Sequence, residues 1–502
     1  MDISKVEVEV STSSRGLPCF DIVGLPAKTI AESKHRIKMS FNNLGLNFPS
    51  RKRVIVNLAP ADVQKTGSFY DLPIAVGILC AQYNIQPSEK AMFFGELSLN
   101  GHVKHVNGSF LLADYARENS YTSIFVPKEC VQESLGAAKI KVFGVNDLLQ
   151  LYYHLKGEID IEASIREKNN AVNKANTRQN RNPFSDIIGQ ENAKRAIEIS
   201  VAGRHNIIFT GPPGTGKSML AKSVKYLLPK MEKDESVEVT KIYSSLGKIP
   251  PSGSLVEDRP YRSPHHTVSY IGLVGGGAIP VPGEITLAHR GVLFLDEINE
   301  FSRMVLESLR QPLEEGNVCI VRNKRRYIFP ADFILVAARN PCPCGYYGHY
   351  NNKCECTPRA IENYKSRLSG PLLDRIDLYV DVIPLTSNQM ETLYSVNRED
   401  SGNIVQEVCE RISRAVSLQK ERFKNDKYNC NSKMDATSIR KYCVISREGI
   451  QILSQAMTKF CLSARSYIKL LRVSRTIADL AGSENIEDSH IAEALHYRIR
   501  SS

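Results

Sequence analysis

The sequence lacks any long hydrophobic run. Of its 502 residues, 42% are hydrophobic, yet no stretch approaches the ~18 consecutive apolar residues of a membrane-spanning helix. The first ten residues, MDISKVEVEV, also lack the apolar segment of a secretory signal peptide. We therefore expect neither membrane insertion nor secretion, and no membrane partner.

The sequence is also short of acidic residues. It has 54 Asp and Glu against 65 Lys and Arg, which gives a formal net charge of +11. A chain this basic tolerates polyanions, and nucleic acid is the obvious candidate. Charge spread over solvated surfaces explains the same total, so both interpretations stay open.

A glycine-rich segment organises the second half of the chain. The segment is Gly211, Pro212, Pro213, Gly214, Thr215, Gly216, Lys217 and Ser218. It follows the apolar run 206–210 and precedes a helical pattern over 219–228, which is the context of a P-loop rather than of a simple glycine turn. Backbone N–H groups of such a loop surround phosphates at a helix N-terminus. The motif predicts ATP binding, with Lys217 on the β- and γ-phosphates and the Ser218 hydroxyl on Mg²⁺.

A second apolar run ends in two carboxylates. Residues 291–295 predict a buried strand, and Asp296 and Glu297 follow at its carboxyl end, the edge at which ligands bind in parallel sheets. We expect Asp296 to support the Mg²⁺ shell through water. We expect Glu297 to polarise the water that attacks ATP.

The sequence predicts an α/β protein with several domains. Alternating residues near the N-terminus and later helical patterns predict an α/β domain over residues 1–165. Residues 166–182 hold almost no apolar side chains, which is typical of a flexible linker. The nucleotide-binding core is predicted over 183–385 and a small helical lid over 386–502.

Two segments of the core are predicted to carry exposed features. Residues 318–329 predict a hairpin, and 272–277 are glycine-rich within a long loop. The hairpin tip carries Arg322, Lys324, Arg325 and Arg326. These cations either contact a polyanion such as DNA or keep the hairpin from pairing with other strand edges.

Four cysteines lie in one short segment. Cys342 and Cys344 form one C-x-C pair, and Cys354 and Cys356 form another. Twelve cysteines without a secretory signal favour a reducing compartment, where four neighbouring thiolates suit tetrahedral Zn²⁺. His349 is a possible replacement for one thiolate. Reduced free cysteines and an Fe–S cluster are the alternatives.

Two segments of the N-terminal domain, FGELSLNGHVKHVNG and APADVQKTGSFYDLPIA, carry a first resemblance. They are similar to the parts of Lon-type (S5-type) protease domains that precede the catalytic lysine and carry the serine. The sequence departs at both places, with Ser68 in Gly67–Asp71 and no lysine in Asn107–Leu111. Because a Ser–Lys dyad needs both side chains, the resemblance implies a Lon-like fold without the dyad.

Motifs of the second half carry a more extensive resemblance. They are GPPGTGKS, YRSPHHTVSYIGLVGGG, PGEITLAHRGVLFLDEINEF, NPCPCG, SGPLLDRIDL and LSARSYIKLLRVSRTIADLAG. Residues 183–502 resemble the magnesium-chelatase subfamily of AAA+ ATPases. With the Lon-like domain and the cysteine segment, the whole chain resembles the ComM/YifB family.

The resemblance implies roles for further residues. Asn340 matches the sensor-1 position, which holds the lytic water. Arg375 matches an arginine finger that enters a neighbouring subunit, with a local ion pair to Asp374 or Asp377 as the alternative. In the lid, Arg465 matches sensor 2, which contacts the γ-phosphate, with Arg472 in reserve. Ile187 and Ile188 are candidates for the wall of the adenine pocket.

The resemblance also implies a function. It is that of a cytoplasmic hexamer that hydrolyses ATP to drive DNA translocation or branch migration during recombination and natural transformation. The DNA partner would be branched or single-stranded. A chelatase-type ATPase motor that remodels a protein partner is the first alternative, and a Lon-like protease is the second. The residues alone indicate a ring-forming, Mg²⁺-dependent ATP hydrolase with exposed basic elements.

Overall fold

The computed structural model describes residue 3 and residues 5–61, 64–88, 90–137, 140–164, 183–249, 255–322, 325–348, 353–384 and 398–498. The side chains of 398–403 are not described. The predicted linker over 166–182 and the first part of the predicted lid, 386–397, lie outside these residues. The described residues divide into two compact units, one from Met1–Ala171 and Lys233–Val256 and the other from Val172–Glu232 and Glu257–Ser502.

Strands and helices alternate through both units. The strands are β1 (Glu7–Ser13), β2 (Cys19–Val23), β3 (Arg53–Ala59), β4 (Ala91–Phe93), β5 (Glu96–Leu97), β6 (Val103–Lys104), β7 (Ser123–Pro127), β8 (Lys141–Val145), β9 (Ala163–Ser164), β10 (Ile207–Thr210), β11 (Tyr261–Arg262), β12 (Gly275–Gly276), β13 (Val281–Pro282), β14 (Val292–Leu295), β15 (Asn317–Arg322), β16 (Arg325–Pro330), β17 (Ile334–Arg339) and β18 (Leu378–Asp381).

The helices are α1 (Lys28–Asn43), α2 (Asp71–Tyr83), α3 (Ser109–Glu118), α4 (Val131–Ala137), α5 (Leu148–Lys156), α6 (Glu191–Gly203), α7 (Lys217–Leu227), α8 (Lys233–Ser245), α9 (Tyr270–Val274), α10 (Glu284–Leu287), α11 (Arg303–Ser308), α12 (Arg310–Glu315), α13 (Pro358–Ser366), α14 (Gly370–Leu373), α15 (Arg398–Arg422), α16 (Ala436–Tyr442), α17 (Arg447–Lys459), α18 (Ala464–Ala481) and α19 (Asp488–His496). Within the described residues, no helix combines the length and apolar character that a membrane crossing requires.

The first unit contains two main sheets with helices packed against them. β1 pairs antiparallel with β3, and β2 pairs parallel with β3. A second sheet has the order β4-β7-β8-β9. The predicted turn at Asn100–Gly101 is confirmed, since Ser98 N–H donates to the His102 carbonyl between β5 and β6 and Gly101 has a left-handed φ of 82°. The unit is therefore mixed α/β, as its sequence patterns predict.

Helix α8 comes from the second half of the sequence but belongs to the first unit. Lys241 on this helix forms a 2.5 Å ion pair with the buried Asp114 of α3. Ser244 donates to Glu133 of α4 over 2.6 Å, and the Ser244 carbonyl accepts from Gly108 N–H. These polar contacts join α8 to α3 and α4, which explains why α8 groups with this unit.

The second unit is built on a five-stranded parallel sheet with the order β11-β14-β17-β10-β18. All four strand pairs run parallel. β10, β14 and β17 are short and almost wholly buried apolar runs, which suits strands covered on both faces. Because parallel strands share their carboxyl edge, the residues that follow β10, β14 and β17 converge at one edge.

The described lid helices pack against the core of the second unit. Helices α15 to α19 confirm the predicted helical character of the described lid residues. Apolar residues of α18, among them Leu470, Leu471 and Ile477, are buried in the same cluster as the strand residues Ile207 and Phe209. Burial of this stripe stabilises the lid on the sheet, because each such side chain contributes about 2 kcal/mol.

Candidate functional site: a nucleotide site beside a cysteine cluster

The predicted P-loop lies between β10 and α7, as the sequence patterns predict. Gly214 and Gly216 have positive φ angles of 78° and 83°, conformations that glycine adopts without strain. A Cβ on Gly211 would lie 2.3 Å from the Val382 carbonyl oxygen, so glycine is also required where the loop leaves the sheet. The loop therefore turns tightly and presents its backbone at the start of α7.

Lys217 is held inside this loop. Its Nζ donates to the carbonyl oxygens of Gly211 and Pro212 at 2.7 Å each and to Asn340 Oδ1 at 3.1 Å. Burial is the main cause that lowers the pKa of Lys217, while the carboxylates of Asp296 and Glu297 act in the opposite direction. The ammonium is thus fixed between the P-loop and the end of β17.

Asp296 and Glu297 follow β14 at the same edge of the sheet but have different surroundings. Ser218 Oγ donates to Asp296 Oδ2 over 2.9 Å, and Glu297 N–H donates to Asp296 Oδ1 over 3.0 Å. Glu297 has a left-handed φ of 48° and an exposed side chain. A hydroxyl and a carboxylate at this distance are hard oxygen ligands, and this donor set fits Mg²⁺.

The four cysteines form one cluster. The Cys342 Sγ lies 3.3 Å from that of Cys344 and 3.7 Å from that of Cys354, and the Sγ atoms of Cys344 and Cys354 are 3.5 Å apart. All four sulfurs lie within 4.8 Å of one another. Zn–S bonds of ~2.3 Å in a tetrahedron place sulfurs ~3.8 Å apart, so the cluster has the dimensions of a tetrahedral thiolate site.

Backbone N–H groups lower the pKa of thiols in the cluster, but at Cys354 and Cys356 burial and the neighbouring sulfurs outweigh them and raise the pKa. Tyr347 N–H donates to Cys342 Sγ over 3.3 Å. The backbone N–H of Tyr346 is the main cause that lowers the pKa of Cys344 to about 6. All twelve cysteines of the chain are free thiols. His349, the alternative ligand, lies outside the described residues.

Arg375 is held within its own chain, but its partner differs from the predicted alternative. Its guanidinium forms an ion pair with Glu314 and donates to the Arg310 carbonyl over 2.9 Å. A local ion pair was the alternative to the predicted finger, and the structure shows one with Glu314 rather than with Asp374 or Asp377. Asp377 instead pairs with Lys469 at 2.7 Å, because β18 brings it against the lid helix α18.

The two arginines that the resemblance makes candidates for sensor 2 have opposite environments. Arg465 lies in the first turn of α18 with an exposed side chain. Arg472 is partly buried, its guanidinium donates to the Met434 carbonyl, and burial lowers its pKa. Arg472 is therefore used inside the lid, whereas Arg465 stays accessible to a ligand.

The predicted basic hairpin is confirmed as β15 and β16, paired in register from Asn317 with Pro330 to Arg322 with Arg325. Val318 and Phe329 are buried at its base, whereas Val321 is 69% exposed and Arg322 and Arg326 are exposed. Lys324 lies outside the described residues. The glycine-rich segment also forms a hairpin, β12 with β13, which carries the exposed Ile279.

The structure also shows what replaces the Ser–Lys dyad of the Lon-type proteases in the N-terminal domain. Helix α3 begins at Ser109, directly after Gly108, where such proteases carry the lysine. Ser68 lies in the turn before α2, and its carbonyl accepts from Asp71 N–H. Ile187 of the predicted adenine wall is buried in the core of the second unit.

Two residues near the nucleotide site were given no role from the sequence, although Asn299 lies within one of the family motifs. The Asn299 side chain, two residues after Glu297, donates to the Tyr364 carbonyl over 2.7 Å. Burial raises the pKa of Tyr364 to about 12, and its hydroxyl faces the backbone of Asn340. Only the fold brings these distant positions together, so no local pattern indicates them.

The parallel sheet, the P-loop after β10 and the acidic pair after β14 define an ATP-binding P-loop protein of the AAA+ class. Family models support this class over most of the chain. "Magnesium chelatase, subunit ChlI" matches residues 183–390, "Subunit ChlI of Mg-chelatase" matches 6–130, and "Magnesium chelatase, subunit ChlI C-terminal" matches 402–498.

Individual relatives define the family more narrowly. The chain is 40% identical over 496 residues to Competence protein ComM of Haemophilus influenzae, covering 98% of this chain and 94% of that protein. It is 38% identical over 496 residues to the protein YifB of Escherichia coli, covering 98% of this chain and 93% of that protein. The chain belongs to the ComM/YifB family of magnesium-chelatase-like proteins. It is also 30% identical over 253 residues to Lon protease 2 of Bacillus subtilis, 44% of each chain.

Proposed function

We propose that this protein is a Mg²⁺-dependent ATP hydrolase that assembles into a ring and translocates or branch-migrates DNA. The observation that carries the hydrolase is the convergence of Lys217, Asn340, Ser218 and Asp296 at one edge of the sheet. The competence protein among the relatives supports a role in the uptake or recombination of DNA.

Each proposed catalytic group has a task that suits its surroundings. Phosphate oxygens would replace the two carbonyls that now accept from Lys217. The Lys217 ammonium would then contact the β- and γ-phosphates. Ser218 and Asp296 would hold Mg²⁺, which when bound neutralises phosphate charge. Asn340 and the exposed Glu297 would orient and polarise the attacking water.

Two arginines complete the proposed site. Arg465, exposed in the first turn of α18, would contact the γ-phosphate from the lid. Arg375 would enter the site of a neighbouring subunit, since a guanidinium offsets charge on the transferring phosphoryl group. A ring, which we propose to be a hexamer, supplies each site with such a neighbour.

The DNA role is supported by the basic hairpin. Arg322 and Arg326 are exposed near the end of a two-stranded projection, and Arg325 lies beside them. Phosphate contacts of this kind bind DNA without regard to sequence, which suits a translocating motor. Lys324 belongs to the same proposed surface.

Forked DNA tests the whole proposal. Purified protein with ATP, Mg²⁺ and a labelled fork or four-way junction should exchange or displace strands without any accessory protein, measured by gel shift of the label. The Lys217→Ala variant is the matched control and should be inactive. ATP turnover that is stimulated by a protein partner and not by DNA would overturn the DNA role and favour a chelatase-type motor.

We also propose that the four cysteines hold one Zn²⁺. The sulfur separations fit a tetrahedral thiolate site, and the free thiols fit a reducing compartment. Elemental analysis of purified protein should find zinc and chain in equal amounts. The Cys354→Ser variant should lose the metal, whereas Cys461→Ser, an exposed cysteine outside the cluster, should keep it. Absence of zinc, or iron in its place, would overturn the assignment.

A further inference from the structure

The cysteine cluster lies directly against the P-loop. Gly345, between the two pairs of cysteines, has a left-handed φ of 87°. A Cβ added there would lie 2.7 Å from Cδ of Pro213, closer than real Cβ atoms approach other atoms, and 3.9 Å from Cγ of Asn340. The loop backbone therefore packs on the nucleotide-binding loop with no room between them.

The cluster also begins at the end of strand β17. Asn340 follows this strand and is separated from Cys342 only by Pro341. Its Oδ1 accepts the 3.1 Å hydrogen bond from Lys217. Because the φ of Pro341 is fixed, few backbone rotations are available between Cys342 and Asn340 to absorb a displacement of the cysteine.

The other end of the cluster leads to the acidic pair. Helix α13 begins at Pro358, two residues after Cys356, and the hydroxyl of its N-cap Thr357 accepts from Ala360 N–H. The Tyr364 carbonyl on this helix accepts from the Asn299 side chain over 2.7 Å, and Arg367 donates to the Asn299 carbonyl over 3.1 Å. Asn299 is two residues from Glu297. The cluster therefore contacts the P-loop directly, is joined through Pro341 to Asn340, and is joined through α13 to the segment that carries Glu297.

We propose that the metal-bound cysteine loop is the positioning device of the nucleotide site, so that ATP affinity and turnover depend on the metal. Metal–sulfur bonds would join residues 342–344 to 354–356 and thereby fix Gly345 on Pro213 and Asn340 on Lys217. The metal itself takes no part in hydrolysis. This inference rests on the proposed zinc site and on the proposed ATPase function. It identifies the metal-bound loop as the element that regulates the nucleotide site.

A pair of glycine variants tests the contact without removing the metal. Gly345→Ala and Gly348→Ala both place a side chain on a left-handed residue of the same loop, but a Cβ on Gly348 meets no atom within 4 Å. Both variants should keep zinc. Gly345→Ala should weaken binding of a fluorescent ATP analogue and lower turnover by roughly 10-fold, since small displacements of positioning groups have effects of this order. Gly348→Ala should resemble the wild type. Equal affinity and turnover in both variants would overturn the inference.

A metal-free form tests the dependence itself. Cys354→Ser should lose zinc and bind the ATP analogue more weakly, while Cys461→Ser should keep both properties. A zinc-free variant with wild-type affinity and turnover would overturn the positioning role while leaving the ATPase intact. If the zinc-loaded wild type binds the analogue but hydrolyses no ATP, the proposed function fails, and the affinities of the variants still decide whether the loop positions Pro213.

Discussion

Two neighbouring carboxylates, Asp296 and Glu297, differ in conformation and surroundings although they follow the same strand. Asp296 accepts from the Ser218 hydroxyl and from the Glu297 backbone. Glu297 has a left-handed backbone with a φ of 48°, a conformation that costs a non-glycine residue about 1 kcal/mol, and its side chain is exposed. The turn separates the two carboxylates, so one can support a cation while the other meets water.

Replacing Glu297 tests this division of roles. The Glu297→Gln variant should bind ATP with near wild-type affinity and hydrolyse it about 100-fold more slowly, since an amide cannot accept the proton of the attacking water. Steady-state phosphate release and binding of a fluorescent ATP analogue measure the two quantities. Glu257→Gln, at an exposed position, is the control and should change neither. Turnover near the wild-type rate in Glu297→Gln would remove this residue from the role of base.

Asp332, two residues before β17, is surrounded by three cationic side chains. Its carboxylate contacts Arg204 at 3.4 Å, Arg290 at 2.9 Å and Lys433 at 2.5 Å. Burial opposes ionisation, but Arg204, Lys433 and Arg290 outweigh it and hold the pKa of Asp332 well below its ordinary value. The carboxylate therefore stabilises the fold at neutral pH, and this contribution is lost as pH falls from its ordinary pKa towards the lower folded value.

The Asp332→Asn variant should lower the free energy of unfolding at pH 7 by about 3 kcal/mol, because it leaves three cations without their shared anion. Urea denaturation followed at several pH values measures the difference. The gap between variant and wild type should shrink as pH falls below ~4, where the unfolded carboxyl begins to protonate. Asp258→Asn, at an exposed position, should show neither effect. A gap that is constant with pH would contradict the charge explanation.

At the scale of elements, the hairpin of β15 and β16 has a buried base and an exposed basic end. Val318 and Phe329 anchor it, so substitutions near the end should leave the core intact. Charged residues at an exposed strand pair prevent aggregation in many proteins, and they also bind phosphates. Only the second role makes DNA affinity depend on these particular side chains, so a binding measurement separates the two.

The double variant Arg322→Ala with Arg326→Ala should weaken DNA binding. It should also reduce the dependence of log K on log salt by roughly 0.9 for each DNA phosphate that the protein no longer neutralises. Fluorescence anisotropy of a labelled oligonucleotide at several salt concentrations measures both. The control is Lys424→Ala with Arg440→Ala, which removes the same charge from exposed positions in the lid region. Equal decreases in affinity in the two double variants would show that only net charge matters.

At the scale of the whole molecule, the proposed ring requires Arg375 to leave its own subunit's Glu314. The Glu314 side chain is 58% exposed, and an ion pair of this kind contributes roughly 0.5 kcal/mol. Leaving also breaks the hydrogen bonds to the Arg310 and Pro371 carbonyls, at about 1 kcal/mol each. Charge-assisted hydrogen bonds to the ATP phosphate of a neighbour would offset these losses. The local pair is therefore compatible with an arginine that acts in another subunit.

Mixing experiments test action between subunits. Arg375→Ala should keep nucleotide affinity and lose hydrolysis, whereas Glu314→Gln should hydrolyse ATP at least as fast as the wild type. Arg375→Ala mixed with Lys217→Ala, each inactive alone, should regain part of the activity, because some sites then combine an intact P-loop of one variant with the Arg375 of the other. Failure of the mixture to hydrolyse ATP would contradict a finger that acts in a neighbouring subunit.

Local patterns were enough to predict much of the fold and of the nucleotide site. The P-loop, the strand before Asp296, the hairpin of residues 318–329 and the cysteine pairs are each short segments. In the P-loop, the strand and the hairpin, the local spacing of residue types favours one backbone geometry. In the cysteine pairs, the side chains are neighbours because they are close in sequence. Lys217, Asp296 and the four cysteines could therefore be named from the sequence.

What the sequence determined by itself is the set of chemical groups and the strands and helices that carry them, since both depend on residues close together in the chain. Only the tertiary structure decided that Glu314 is the partner of Arg375, that α8 belongs to the first unit, and that Gly345 packs on Pro213. Such pairings join positions far apart in sequence, and their geometry is set by the order of strands in the sheet and by packing, which no local pattern encodes.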